Sequence, residues 1–330
     1  MQSDLNHILS NKELKDQLIS EMDSDEAKER LRRDSLVSDK VKGIIEGLNR
    51  GQEADVNPGY EAIIRKWGRP VLYIRDDAIE PPQLELWKTR LEPARQRLQE
   101  QVPRIGRVEL RGHPRFSWVG TGWLVAPRVI VTNRHVAEEF ARATNDGFGF
   151  RMDPVGRSMR AWIDMYQEHE RAKESEFSIK EILHIEEEPG PDMAFMRVAS
   201  VDQDDRELPA PIPLSDQDPQ RDQVVGVIGY AAWDGDRNDR DVMDRIFDRV
   251  YEVKRLHPGE LMEVPSQQHY VTHDCSTLGG NSGSVVLDFA TGKAVALHYA
   301  GRYEGRNYAV KASSVRAKMD ELGIDPSVGV

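Results

Sequence analysis

The chain has 330 residues, 38% hydrophobic and 31% charged, with a formal net charge of -12. Such a length allows one large domain with an appendage, and the acidic balance argues against a nucleic-acid binder, because phosphate recognition needs a basic surface. No run reaches the roughly 20 apolar residues of a membrane span, the start MQSDLNHILSNKELKD lacks the pattern of a secretory signal, and a single cysteine, Cys275, leaves no intrachain disulfide. A cytoplasmic protein is expected.

Residues 1 to about 56 are polar, with short apolar recurrences at Leu5, Ile8, Leu9 and at Val41, Ile44, Ile45, Leu48. That spacing is helical but the runs are short. Residues 1–100 carry 17 basic and 20 acidic side chains, so this arm has no dominant sign. It reads as a helical or partly disordered extension, or as a docking or oligomerisation module. Arg69–Arg75 predicts a short strand. Leu84, Trp87, Leu91, Ala94 and Leu98 then recur at helical spacing, with Pro93 starting or kinking part of the helix.

From Ile105 the pattern changes to short β-rich runs separated by turn residues: IGRVELRG, SWVGTGWLV, RVIVTN, SIKEILHI, DMAFMRVA, QVVGVIGY, HYVTHDC, SGSVVLD, AVALHYAG and NYAVKA. No helical pattern alternates with them, so a sandwich or barrel is expected rather than a parallel sheet. Residues 152–177 read as an extended charged hairpin between strands, and 232–249 as an acidic surface loop with a short apolar turn. Residues 313–322 predict a closing helix through Val315, Met319 and Leu322. No histidine, cysteine or carboxylate spacing suits a metal, so no cofactor is expected.

Three local patterns beside predicted strands carry chemistry. GTGWLVAPRVIVTNRHVA ends on His135 and its small apolar neighbours; PDMAFMRV places Asp192 at the mouth of an apolar strand; STLGGNSGS puts Ser282 in a glycine-framed turn. Singly each is ordinary. Together, in the order His, Asp, Ser and separated by 57 and 90 residues, they resemble the chymotrypsin-like (trypsin-like) serine protease superfamily, nearest to bacterial glutamyl-endopeptidase-like and trypsin-like peptidase domains. The resemblance covers roughly residues 105–311. It implies a mainly β fold, a double antiparallel β-barrel with an N-terminal α-helical extension (1–103) and a C-terminal helix closing a protease domain (104–330).

The resemblance also implies roles. His135 would take the Ser282 proton during attack, Asp192 would hold the imidazole tautomer, and the backbone of Gly280, Asn281 and Ser282 would frame an oxyanion hole, with the N–H groups of Gly280 and Ser282 as donors. Asn281 stands where digestive enzymes carry an aspartate that pairs with a new N-terminus, so activation by that cleavage is not expected. Arg104-Ile105-Gly106 is read as the start of a barrel strand, and Cys275 as a small buried hydrophobe. The pocket for the residue before the cut would be lined by Ser276, Thr277, His298, Tyr299, Ala300 and Gly301. It has no aspartate floor to select Arg or Lys. Thr277 and His298 match the hydroxyl and histidine of glutamate-specific relatives, which implies a preference for Glu or Asp.

The expected function is a serine endopeptidase of limited processing in a bacterial cytosol. Its partners would be protein or peptide substrates, with a regulatory partner through residues 1–100, and neither nucleic acid nor membrane. Restraint of activity is expected from a partner, an unformed oxyanion hole or the N-terminal segment. The alternative is a catalytically silent, protease-like binding scaffold. An α/β-hydrolase is excluded, because its triad runs Ser before Asp before His around a G-x-S-x-G elbow.

Overall fold

The computed structural model describes residues 15–16, 68–234, 240–302 and 306–328. The helical recurrences expected at Leu5–Leu9 and Val41–Leu48 lie outside the described residues. The described chain opens with a ribbon of β1 (Leu72–Arg75) and β2 (Ala78–Ile79), followed by α1 (Glu85–Leu91) and α2 (Arg95–Gln99). Next come β3 (Ile105–Arg111), β4 (Trp118–Ala126), β5 (Val129–Thr132), α3 (Arg134–Ala137), the hairpin β6 (Ala141–Thr144) and β7 (Gly147–Phe150), β8 (Arg160–Asp164), β9 (Glu176–Ile185) and β10 (Ala194–Val198). The second half holds β11 (Val224–Tyr230), α4 (Arg240–Ile246), β12 (Lys254–Glu263), β13 (Tyr270–His273), β14 (Val285–Asp288), β15 (Ala294–Arg302), β16 (Arg306–Lys311) and α5 (Ala312–Glu321).

These strands form two antiparallel barrels of six strands each. The first closes in the order β10-β5-β4-β3-β8-β9. The second runs β11-β14-β15-β16-β13-β12 and closes through the β11–β12 pairing, with β1 and β2 added beyond β12. The architecture is the mainly β double barrel, finished by a C-terminal helix whose Val315 and Met319 are buried.

The two-residue period of the strands explains how the barrels fit together. Leu124 and Ile130 point into the first barrel, while their neighbours Trp123, Val125, Val129 and Val131 join a core shared with the second barrel. Val286 and Ala296 fill the second barrel, whereas Val285, Leu287 and Leu297 face that same shared core. Strands buried on both faces lose their polar alternation, so β4 and β5 read as continuous apolar runs. The shared core also takes Leu72, Ile74, Trp87, Leu91 and Leu98. Residues 72–98 therefore pack as one body with the barrels, and β1 pairs with β12 through Leu72 opposite Leu256.

Two barrel strands were not legible. Within the expected hairpin 152–177, Arg160–Asp164 is a barrel strand pairing with both β3 and β9. Its Ala161 and Ile163 point inward, while Arg111 and Arg160 stack on the outward Trp162 at 4.3 and 5.4 Å, so flanking charge hides a real alternation. Lys254–Glu263 is the most shared strand of the second barrel, yet it begins with two cations and contains Pro258. Fully buried Lys254 donates to the carbonyls of Val102 and Met165 at 3.0 and 2.7 Å and pairs with Glu168 at 3.3 Å. Those partners come from distant segments. The apolar turn expected in 232–249 is the helix α4, with Met243 and Ile246 buried. Among the described residues, no helix is long and apolar enough to cross a membrane.

Candidate active site

His135 and Asp192 meet where β5 ends and its antiparallel neighbour β10 begins, the register placing Ala194 opposite Thr132. Asn133 precedes α3 in an extended conformation, and its amide donates to the Asp192 carbonyl at 2.9 Å. Asp192 Oδ1 accepts the His135 backbone N–H at 3.2 Å, and Oδ2 accepts His135 Nδ1–H at 2.6 Å. An imidazole whose Nδ1–H is committed to a carboxylate presents Nε2 as a lone pair, the tautomer a general base requires. The His135 side chain is 45% exposed and that of Asp192 13%, so the ring faces the cleft with its carboxylate beneath it.

Ser282 lies on the turn between β13 and β14, at the seam of the barrels. Its carbonyl accepts Thr121 N–H from β4 at 2.8 Å, while Gly283 N–H donates to the His298 carbonyl on β15 at 2.8 Å. Thr121 Oγ1 adds a bond to the Gly280 carbonyl at 3.0 Å. A strand of each barrel thus straps the turn. Gly283 has φ +87°, and a Cβ there would fall 1.9 Å from the Thr121 carbonyl oxygen, so no other residue fits. Gly120 marks how near the His and Ser segments come: a Cβ on it would meet Val136 Cγ2 at 2.8 Å and the Ser282 carbonyl at 2.9 Å. Among the described residues no hydrogen bond joins the Ser282 hydroxyl to His135; such contacts commonly tighten only with substrate bound.

Among the described residues, the N–H groups of Gly280 and Ser282 donate to no protein acceptor, whereas Asn281 N–H donates to the Leu278 carbonyl at 3.2 Å. Of the three residues expected to frame an oxyanion hole, the two expected donors, Gly280 and Ser282, thus have uncommitted N–H groups, and that of Asn281 is committed. Asn281 instead braces the turn, fully buried, with its amide nitrogen 3.4 Å from the Leu278 carbonyl.

The expected pocket residues lie on one strand, β15, and on the segment facing it, 276–277. Ala300 and Gly301 pair with Tyr308 and Asn307 of β16, and Tyr299 packs at the edge of the shared core. Thr277 Oγ1 donates to Asn307 Oδ1 at 2.7 Å. Its proton is therefore committed, and the hydroxyl is not the free donor expected from the sequence. Asn307 was missed: it donates to the Cys275 carbonyl at 2.7 Å, and a Cβ on Gly301 would lie 2.7 Å from its Oδ1. Nothing local in the run Asn-Tyr-Ala-Val-Lys marks it, because its role depends on strand pairing.

Behind the pocket, His298 Nδ1 lies 3.0 Å from His273 Nε2. A proton on His273 Nε2 makes His298 an Nε2–H donor, and that nitrogen has no protein partner among the described residues. Burial holds the His257 and His273 imidazoles down to about 3, and His298 well below the ordinary value, each also feeling another histidine or a nearby cation. The unfolded chain protonates these rings below about pH 6.5, so their contribution to stability is present above that pH. It falls by about 1.4 kcal/mol per pH unit per ring as the pH drops toward the folded values. Burial raises Glu109 to about 7, which acts in the opposite sense between about pH 7 and 4.5 and offsets about one ring. Denaturation midpoints are expected to fall from pH 6.5 to 4.5, with the His257 and His273 ring resonances still neutral at pH 5; rings titrating near 6 would contradict the buried chain. Cys275 is buried and unpaired, and burial pushes its thiol far up, in keeping with a packing role.

Two six-stranded barrels with a His–Asp pair beside a glycine-framed serine turn define the chymotrypsin-like serine peptidase class. The chain belongs to the trypsin-like peptidase domain family, which matches residues 120–297. Similar solved structures include an inactive form of the Mycobacterium tuberculosis protease Rv3671c. It is 13% identical, covers 71% of this chain and 96% of that one, and has a TM-score of 0.42. A serine endoprotease from Yersinia pestis is 17% identical, covers 69% and 66% of the respective chains, and has a TM-score of 0.46. No curated protein sequence matches.

Proposed function

We propose that the chain is an active serine endopeptidase that cleaves peptide bonds through an acyl-enzyme on Ser282. The observation that carries this reading is the His135–Asp192 pair at 2.6 Å, facing a serine turn strapped to both barrels. Neutral His135 removes the Ser282 proton as Oγ attacks the scissile carbonyl, and Asp192 stabilises the imidazolium that forms. The Gly280 and Ser282 N–H groups, uncommitted within the protein, are the donors for the developing oxyanion. The imidazolium then protonates the leaving amine, and a water deprotonated by the same ring hydrolyses the ester. A fluorophosphonate should label Ser282 of the full chain and leave Ser282→Ala unmarked. A wild-type protein that neither labels nor cleaves any peptide in a diverse library would favour the silent scaffold.

The specificity favoured by the pocket is Glu or Asp before the cut. His298 is neutral yet oriented by His273 to donate from Nε2, so it offers a carboxylate a hydrogen bond. Because Thr277 already donates to Asn307, His298 and backbone N–H groups supply the recognition. Peptide-library profiling is expected to show acidic selectivity, and His298→Ala to reduce the Glu-to-Leu ratio by roughly 10-fold or more, since one hydrogen bond to a charged group contributes about 1.5–3 kcal/mol. Equal cutting after Leu or Lys in the wild type would reject the preference. One cysteine suits a reducing compartment such as a bacterial cytosol, where limited processing is the role compatible with narrow selectivity.

A further inference from the structure

We propose that Arg69, in the segment before the first barrel, is a positioning residue of the specificity pocket: it fixes the wall formed by residues 274–277. The inference rests on the reading of Ser276 and Thr277 as that wall. Between the end of β13 at His273 and the start of β14 at Val285 the chain has no strand ladder. The conformation of 274–277 is therefore set largely by side-chain anchors, and Arg69 supplies two of them.

The Arg69 side chain is 1% exposed, with Nη2 at 2.5 Å from Asp274 Oδ2 and 3.3 Å from Glu260 Oε2. Its backbone carbonyl accepts the Ser276 hydroxyl at 2.8 Å. Asp274 is also tied to β12, its Oδ1 accepting Glu260 N–H at 2.8 Å. Glu260 in turn pairs with Arg90 of α1 at 2.6 Å. Both guanidinium groups lie within 5.5 Å of the Trp87 ring, whose Nε1–H donates to the Gly68 carbonyl at 3.0 Å. Two cations and two carboxylates thus form a buried quartet reaching from the pre-barrel segment to the pocket wall. From the other side Asn307 holds the Cys275 carbonyl and the Thr277 hydroxyl, both at 2.7 Å, and His257 Nδ1–H donates to the Ser276 carbonyl at 2.6 Å. Each residue from 274 to 277 has an anchor; the Arg69 side chain is one of those at 274, and the Arg69 backbone carbonyl is one of those at 276.

A guanidinium removed from this quartet leaves Asp274 buried beside a second carboxylate. Asp274 then keeps the Glu260 N–H but loses the cation that offsets the neighbouring carboxylate, and the repulsion between the two shifts the backbone it carries. The catalytic pair is held through β5 and β10, which Arg69 does not touch. The expected defect is therefore in substrate placement rather than in the nucleophile.

The test is Arg69→Met in the full chain, read by peptide cleavage, by the profile of residues accepted before the cut, and by the rate of fluorophosphonate labelling at Ser282, which needs no side chain in the pocket. Peptide kcat/KM is expected to fall about 10²-fold, mostly through KM, and selectivity to flatten, while labelling changes less than about threefold. Arg69→Lys, which keeps the cation but loses the planar fork, should recover part of both. Arg95→Ala, whose guanidinium holds the Ile79 carbonyl, should leave the profile as it is. Labelling and cleavage falling in parallel in Arg69→Met, or a wild-type profile in that variant, would overturn the proposal. If Arg69→Met does not fold, Arg69→Lys decides, and an unaltered profile there would count against it. A wild-type chain that fails to label removes the catalytic reading itself, an outcome distinct from a failure of Arg69.

Discussion

Ser282→Ala is expected to lower kcat by about 10⁶-fold, the scale on which another serine triad loses activity when its nucleophile or base is removed. His135→Ala should lose a similar factor, and the double variant should be no worse than either alone, because nucleophile and base act as one unit. Asp192→Asn is the more informative change. An amide can accept from Nδ1–H but can equally donate to the ring and fix the wrong tautomer, and a loss near 10⁴-fold is expected while the fold is kept. Single-turnover kinetics on one peptide, with circular dichroism to establish folding, would measure all four proteins. Losses that multiply in the double variant would show that Ser282 and His135 do not act together. An Asp192→Asn enzyme with wild-type turnover would remove Asp192 from the mechanism.

Removal of residues 1–103 is expected to abolish folding rather than release activity. Ile74, Leu86, Trp87, Leu91, Leu98 and Val102 are all at most 3% exposed, and all six join the core shared by the barrels. Burial of a large apolar side chain contributes about 1.5–3 kcal/mol, so six of them rival the about 5–15 kcal/mol that holds a whole domain together. Truncation also strips Lys254 of the Val102 carbonyl and Asp274 of Arg69, so two buried charges each lose a partner. The chain 104–330 should therefore show no cooperative thermal transition and should bind a dye that reports exposed apolar surface, whereas one starting at 68 keeps every contact described. A cooperative, active 104–330 would contradict this. Any regulatory role for the N-terminal region is accordingly best sought before residue 68.

The change of pattern at Ile105 marks where β3 begins, and it is a change of secondary structure rather than of core. Local periodicity could not reveal that Trp87 and Leu91, spaced as on an amphipathic helix, pack against strands of both barrels. The same limit hid β8, where charge on the outer face masks the alternation, and β12, whose buried Lys254 and Arg255 read as solvent-facing until their carbonyl partners are in place. Thr277 and His298 suggested two donors to a substrate, but only the pairing of β15 with β16 brings Asn307 to the Thr277 hydroxyl and commits its proton.

The class of fold, the three candidate catalytic residues and the closing helix were determined by the sequence alone, because turn glycines, apolar strands and the flanks of a reactive group are constraints written within a few neighbouring residues. The tertiary structure decided which N–H groups stay uncommitted, which histidine rings meet, and that Arg69 reaches Asp274 and Ser276. Those outcomes depend on burial and on partners up to 207 residues away along the chain, and no local pattern records which distant group satisfies a buried charge.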